Sequence, residues 1–191
     1  MSGDPVPEAS CRCGLRRRFI GRLLLALPAF AALPAPADAG TGEQRRLQLV
    51  NTHTGERLDE AYFEDGAYLP ARLGMFDWVL RDHRSNDIFP IDQQLFDLLH
   101  ELAASAGVLP RYQIISGYRS PATNAMLVAT TDGVSSQSLH MQGKAIDVRL
   151  EGVPTARLRE VALARKAGGV GYYPASDFVH LDIGRVRSWS G

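Results

Sequence analysis

Two short stretches constrain this chain more than the rest of it: Ser138-Leu-His140-Met-Gln-Gly143-Lys-Ala-Ile-Asp147 and Asp177-Phe-Val-His180-Leu-Asp182. Each runs into polar and apolar residues alternating with the two-residue period of a β-strand, Ala145-Ile-Asp147-Val-Arg-Leu150 in the first and Phe178-Val-His180-Leu-Asp182-Ile in the second. His180 and Asp182 fall on one face, and Val179, Leu181 and Ile183 on the other. Gly143, between His140 and Asp147, permits a tight turn that brings His140 back over the strand. A chain written this way buries one apolar sheet face and presents His140, Asp147 and His180 together on the opposite one. Two imidazoles and a carboxylate are the donors of a zinc site with three protein ligands and one position left for water.

The 191 residues, 45% of them apolar, suit one domain with a real core plus an export segment. Residues 1–39 read as a signal peptide: basic Arg16-Arg17-Arg18, an apolar run from Phe19 to Leu33, and Ala37-Asp38-Ala39 as a small-x-small cleavage site. The run is short and broken by Pro28 and Pro34, against the about 20 apolar residues of a membrane span. Arg16-Arg17-Arg18-Phe19-Ile20 is also similar to a twin-arginine export signal, so a periplasmic or secreted address is expected, with a domain of residues 40–191. Both cysteines, Cys11 and Cys13, fall in the segment to be removed, which excludes a disulfide from the mature chain. Removing residues 1–39 takes away five arginines and three acids and leaves a formal charge of −2. Neither a polyanion-binding surface nor an acidic tail follows, so nucleic acid is not an expected partner, and the domain is read as a monomer without a stable membrane span.

Further along, Arg46–Val50 and Glu60–Phe63 read as strands of a hairpin, Ala71–Leu80 as a short helix, and Arg111–Ile115 as a strand. Ile91, Leu95, Leu98, Leu99, Leu102 and Ala106 recur on one helical face, giving a core helix over residues 91–106 that Gly107 and Pro110 end. Helices are also expected from Pro121 and over Pro154–Lys166, and a strand and turn over Gly168–Pro174. Arg119, at a strand end, offers a guanidinium for an oxyanion or a substrate carboxylate, with a surface role as the alternative. Ser138 and Gln142 either bond to the site or cap its loop, and Tyr172 and Tyr173 either line a groove or pack. Asp182 shares a face with His180 and is suited to orient that imidazole, or to pair with Arg185 or Arg187. His53, His83 and His100 read as surface or structural, Lys144 and Arg149 as solvated, and Trp189 as core.

Ser116-Gly-Tyr-Arg-Ser120, the Ser-x-His-x-x-Gly-x-Ala-x-Asp of residues 138–147, Gly169-Val-Gly-Tyr-Tyr-Pro174 and the closing Val179-His-Leu-Asp-x-Gly-x-Val-Arg-x-Trp189 stand in the order seen in one family. Through them the whole mature chain resembles the M15-like zinc peptidases of the D-Ala-D-Ala carboxypeptidase and murein endopeptidase group, most closely the murein endopeptidase K branch. The resemblance implies a small α+β domain with a central antiparallel sheet flanked by helices, of the hedgehog/D-Ala-D-Ala peptidase kind, holding one Zn²⁺ on His140, Asp147 and His180. It implies hydrolysis of peptidoglycan stem peptides or their cross-links, often beside a D-amino acid or diaminopimelate. It also puts Asp177, three residues before His180, at the place of the catalytic base, with Asp182 as the rival. A carboxypeptidase trimming stem-peptide ends by D,D or L,D cleavage, and a zinc-stabilised wall-binding module without hydrolysis, are the alternatives.

Overall fold

The computed structural model describes residues 42–131 and 133–191, so the export reading of residues 1–39 lies outside the described residues. Among the described residues, eight strands join in one sheet: β1 (Arg45–Asn51), β2 (Arg57–Glu64), β3 (Ala67–Tyr68), β4 (Arg111–Ser116), β5 (Ala145–Leu150), β6 (Gly169–Tyr173), β7 (Phe178–Asp182) and β8 (Arg187–Ser190). Their spatial order is β3-β2-β1-β4-β5-β7-β6-β8. Pairing is antiparallel except at β1–β4 and β6–β8, so the domain is α+β with the mostly antiparallel sheet that was expected. The helices are α1 (Pro70–Val79), α2 (Gln93–Ala106), α3 (Pro121–Thr130) and α4 (Thr155–Arg165). None of the described helices is long and apolar enough to cross a membrane.

The core lies where α2 and α4 cover one face of the sheet. Leu95, Phe96, Leu98, Leu99 and Leu102 of α2 are buried there with Leu47 and Leu49 of β1, Tyr112 and Ile114 of β4, Ile146 and Val148 of β5, and Val179 and Leu181 of β7. Asp92 starts α2 by accepting the Gln94 N–H at 3.1 Å, and Gly107, at φ 74°, ends it. Burial of each large apolar side chain contributes roughly 1.5–3 kcal/mol, which makes this packing, rather than helix propensity, the reason α2 is stable. β5 is buried on both faces, because the helices cover one and the loops around its acid cover the other.

Candidate metal centre

In the antiparallel pairing of β5 with β7, Asp147 lies directly opposite His180, so alternation alone puts both on the face away from the helices. His140 arrives from a short 3₁₀ turn, Leu139–Gln142, whose first N–H groups need a cap. Ser138 supplies it, its Oγ accepting the His140 backbone N–H at 3.4 Å. Gly143 closes the turn at φ 65°, and a Cβ there would collide with the Pro90 carbonyl. The glycine is required twice over, for its backbone angle and for its bareness.

All three side chains are buried. His180 Nδ1 stands 2.9 Å from Asp147 Oδ1, His140 Nε2 3.3 Å from the same oxygen, and the two nitrogens 3.2 Å from each other. Metal–ligand bonds of about 2.0–2.1 Å at tetrahedral angles space neighbouring donors by about 3.3 Å, so the three edges fit one shared ion.

The outer face of each imidazole decides what its inner nitrogen is. His140 Nδ1 meets the Gly117 carbonyl at 2.7 Å, and only an N–H serves a carbonyl, so Nε2 turns a lone pair inward. His180 Nε2 meets Asp182 Oδ2 at 3.1 Å and likewise carries the hydrogen of the neutral ring, so in that form Nδ1 is the bare nitrogen. Two lone pairs and a carboxylate oxygen thus converge in a buried space, an arrangement that calls for a cation or an extra proton. Burial works against a charge on His180, yet its contacts with Asp147 and Asp182 hold its pKa up at about 9. Burial likewise opposes the Asp147 anion, but His140 and His180 keep its carboxyl well below the usual range. The donors, spacing and burial are those of a metal ligand set.

The other residues singled out by sequence divide. Arg119 is brought to the trio: its guanidinium lies 3.8 Å from Asp147 Oδ2 and donates to Asn124 at 3.2 Å, while its buried Nε has no partner. Asp182 is fully enclosed, and its oxygens accept from His180, from the Gly169 and Gly184 N–H groups and from both ends of Arg187. It faces the back of the His180 ring with no oxygen free for a proton from substrate. Asp177 is not brought to the trio. It sits in the β6–β7 turn at φ 51° with its side chain 65% exposed, bonded to Thr155 Oγ1 at 2.9 Å and paired with Arg149 at 3.2 Å. Arg149, expected to be solvated, also donates to the Ser176 and Asp177 carbonyls and so fixes this turn.

A cleft of about 660 Å³ opens over the trio, lined among others by Arg119, Val134, Ser138, Leu139, Tyr173 and Phe178. Among the described residues, Asp147 is the only acid in that lining. Trp189, expected in the core, is instead half-buried in the cleft wall, because β8 pairs in parallel with β6 and sets Trp189 beside Gly171. The structure also pairs His53 with His83, whose rings stack at 3.9 Å with 9° between planes, away from any carboxylate trio.

A family model described as peptidoglycan L,D-endopeptidase MepK matches residues 39–189. The chain belongs to that family. It is 42% identical over 170 residues to the peptidoglycan L,D-endopeptidase MepK of Escherichia coli (strain K12), covering 89% of this chain and 90% of that protein. The protein of the same name from Shigella flexneri matches to the same extent. The probable peptidoglycan L,D-endopeptidase MepK of Haemophilus influenzae is 39% identical over 156 residues, 81% of this chain and 84% of that protein. No solved structure matches the chain significantly.

Proposed function

We propose that this chain is an exported, zinc-dependent peptidoglycan endopeptidase that cuts L,D bonds in murein peptide cross-links. The observation that carries the reading is the convergence of two imidazole nitrogens, their rings held by outer partners, with one carboxylate oxygen in the cleft of a chain whose relatives bear that name. Two imidazoles favour zinc over magnesium or calcium, which prefer all-oxygen sets. The reading of residues 1–39 as a twin-arginine-like signal supports a periplasmic or secreted site of action.

His140, Asp147 and His180 would hold the ion, and when bound it supplies Lewis acidity, lowering the pKa of a water and polarising a carbonyl. Gly117 and Asp182 fix the two imidazoles so that their nitrogens need no reorganisation. Arg119, unpartnered at Nε and already in the cleft, stabilises the negative charge that develops on the scissile carbonyl oxygen. Asp182 is assigned to orienting His180, and Asp177 to holding the β6–β7 turn through Thr155 and Arg149.

A digest of purified sacculi with mass analysis of the released muropeptides tests this. Cross-linked dimers should fall to monomers, a chelator should stop the reaction, and zinc should restore it. Release of terminal residues alone would make the protein a carboxypeptidase, and tight metal binding with no product would make it a wall-binding module.

A further inference from the structure

We propose that Trp189, braced by Tyr173 and Phe178, is the specificity-determining wall of the cleft, an aromatic surface that receives the aliphatic side-chain methylenes of the peptide residue beside the scissile bond. The inference rests on the proposed function and names the part of the substrate that this side of the site reads.

The registers of β8 with β6, β6 with β7 and β7 with β5 put Trp189, Gly171, His180 and Asp147 in one row across the sheet. Gly171 is what makes the row work. A Cβ there would come within 2.7 Å of the indole, so the missing side chain lets the ring lie over the strand and approach His180, with centroids 5.1 Å apart. The indole N–H donates to Tyr173 Oη at 2.9 Å, and the Tyr173 ring stacks on Phe178 at 4.6 Å. Arg187, anchored on Asp182, lies 4.9 Å from the indole centroid. The indole N–H is thus satisfied sideways, and the ring is held with apolar surface in the cleft wall.

Other large aromatic side chains of this protein, Tyr62, Tyr112, Phe76 and Phe96, are buried completely, whereas Trp189 stays partly open in the cleft. Contact with methylene groups of a bound peptide would remove that apolar surface from water. Strand order also makes the site asymmetric: Arg119, at the end of β4, stands on one side of the trio, and β8 with Trp189 on the other. A substrate is therefore read by a cation on one side and by an apolar wall on the other, which fixes the direction in which the peptide lies.

Steady-state kinetics of the zinc-loaded protein and its Trp189→Ala and Trp189→Phe variants on purified cross-linked muropeptide dimers test the proposal. Trp189→Ala should lower kcat/KM by about tenfold or more, largely through KM, and Trp189→Phe should fall between, with zinc affinity unchanged in both. Loss of zinc affinity with KM unchanged would mean that the indole merely supports His180, and would overturn the proposal. So would wild-type kcat/KM in Trp189→Ala, which leaves the peptidase reading standing, whereas a wild-type protein that cuts no murein refutes that reading instead. Because the chain has two tryptophans, a Trp78→Phe background isolates Trp189 emission. Adding dimers to this protein under chelation should shift that emission, and binding detected calorimetrically without a shift would count decisively against contact at Trp189.

Discussion

The protein holds two close pairs of histidines, and they are built for opposite ends. His140 and His180 meet at an angle, 5.0 Å between ring centroids, and each has an acceptor behind it that fixes the hydrogen on the outer nitrogen. His53 and His83 lie flat on each other, with Nε2 of His53 against the Ile115 carbonyl and no carboxylate between the rings. The carboxylates around His180 raise its pKa to about 9. Burial, then the facing His53 and Arg84, lower that of His83 to about 4. Proximity of imidazoles therefore does not make a metal site. What sets His140 and His180 apart as candidate ligands is the acid between them and the acceptors behind them.

Alanine at His140, Asp147 or His180 gives the sharpest contrast: each should remove bound metal and reduce turnover by about 10³-fold or more, whereas His53→Ala should leave both intact. Metal content and murein digestion measured side by side check it, and a metal-replete Asp147→Ala protein would break the distinction between the pairs. Asp182→Asn should come next, weakening metal affinity by about 10–100-fold by loosening the His180 ring, as read by competition with a chelator of known affinity. A weaker effect belongs to the stacked pair. The folded pKa of His83 lies below its unfolded value, so the stability this confers is complete above about pH 6.5 and is lost as pH falls from there toward 4. His83→Phe keeps an aromatic ring on His53 and should flatten that decline by about 1 kcal/mol, with allowance for solvent reaching the ring, as followed by denaturant unfolding at several pH values. Least of all, Asp177→Ala should alter turnover by no more than about threefold, and a loss of about 10²-fold would return it to the role of proton acceptor that the family resemblance implied.

The trio was legible because its determinants are local or strictly periodic. Alternation along residues 145–150 and 178–182 puts Asp147 and His180 on polar faces, and Gly143 marks the turn that returns His140. The major helices, α2 above all, were legible from their apolar spacing for the same reason. Asp177 was less legible, because it lies in the β6–β7 turn just before β7, where strand alternation does not fix the direction of a side chain, and its contacts with Thr155 and Arg149 are set by residues distant in the chain. What escaped the sequence depends on partners far along the chain. β8 exists because it pairs in parallel with β6, and only that pairing takes Trp189 out of the core and into the cleft. The two-residue β3, the stack of His53 on His83 and the Gly117 carbonyl behind His140 likewise have no local signal.

Residues 40–191 contain no cysteine, yet His140, Asp147 and His180 bring a turn and two separate strands to one point, with Gly117 and Asp182 closing in behind. An ion seated there acts as a clasp without sulfur. It fastens stretches of chain that a disulfide could join only two at a time, and it can be unfastened by competition for the ion instead of by an electron donor.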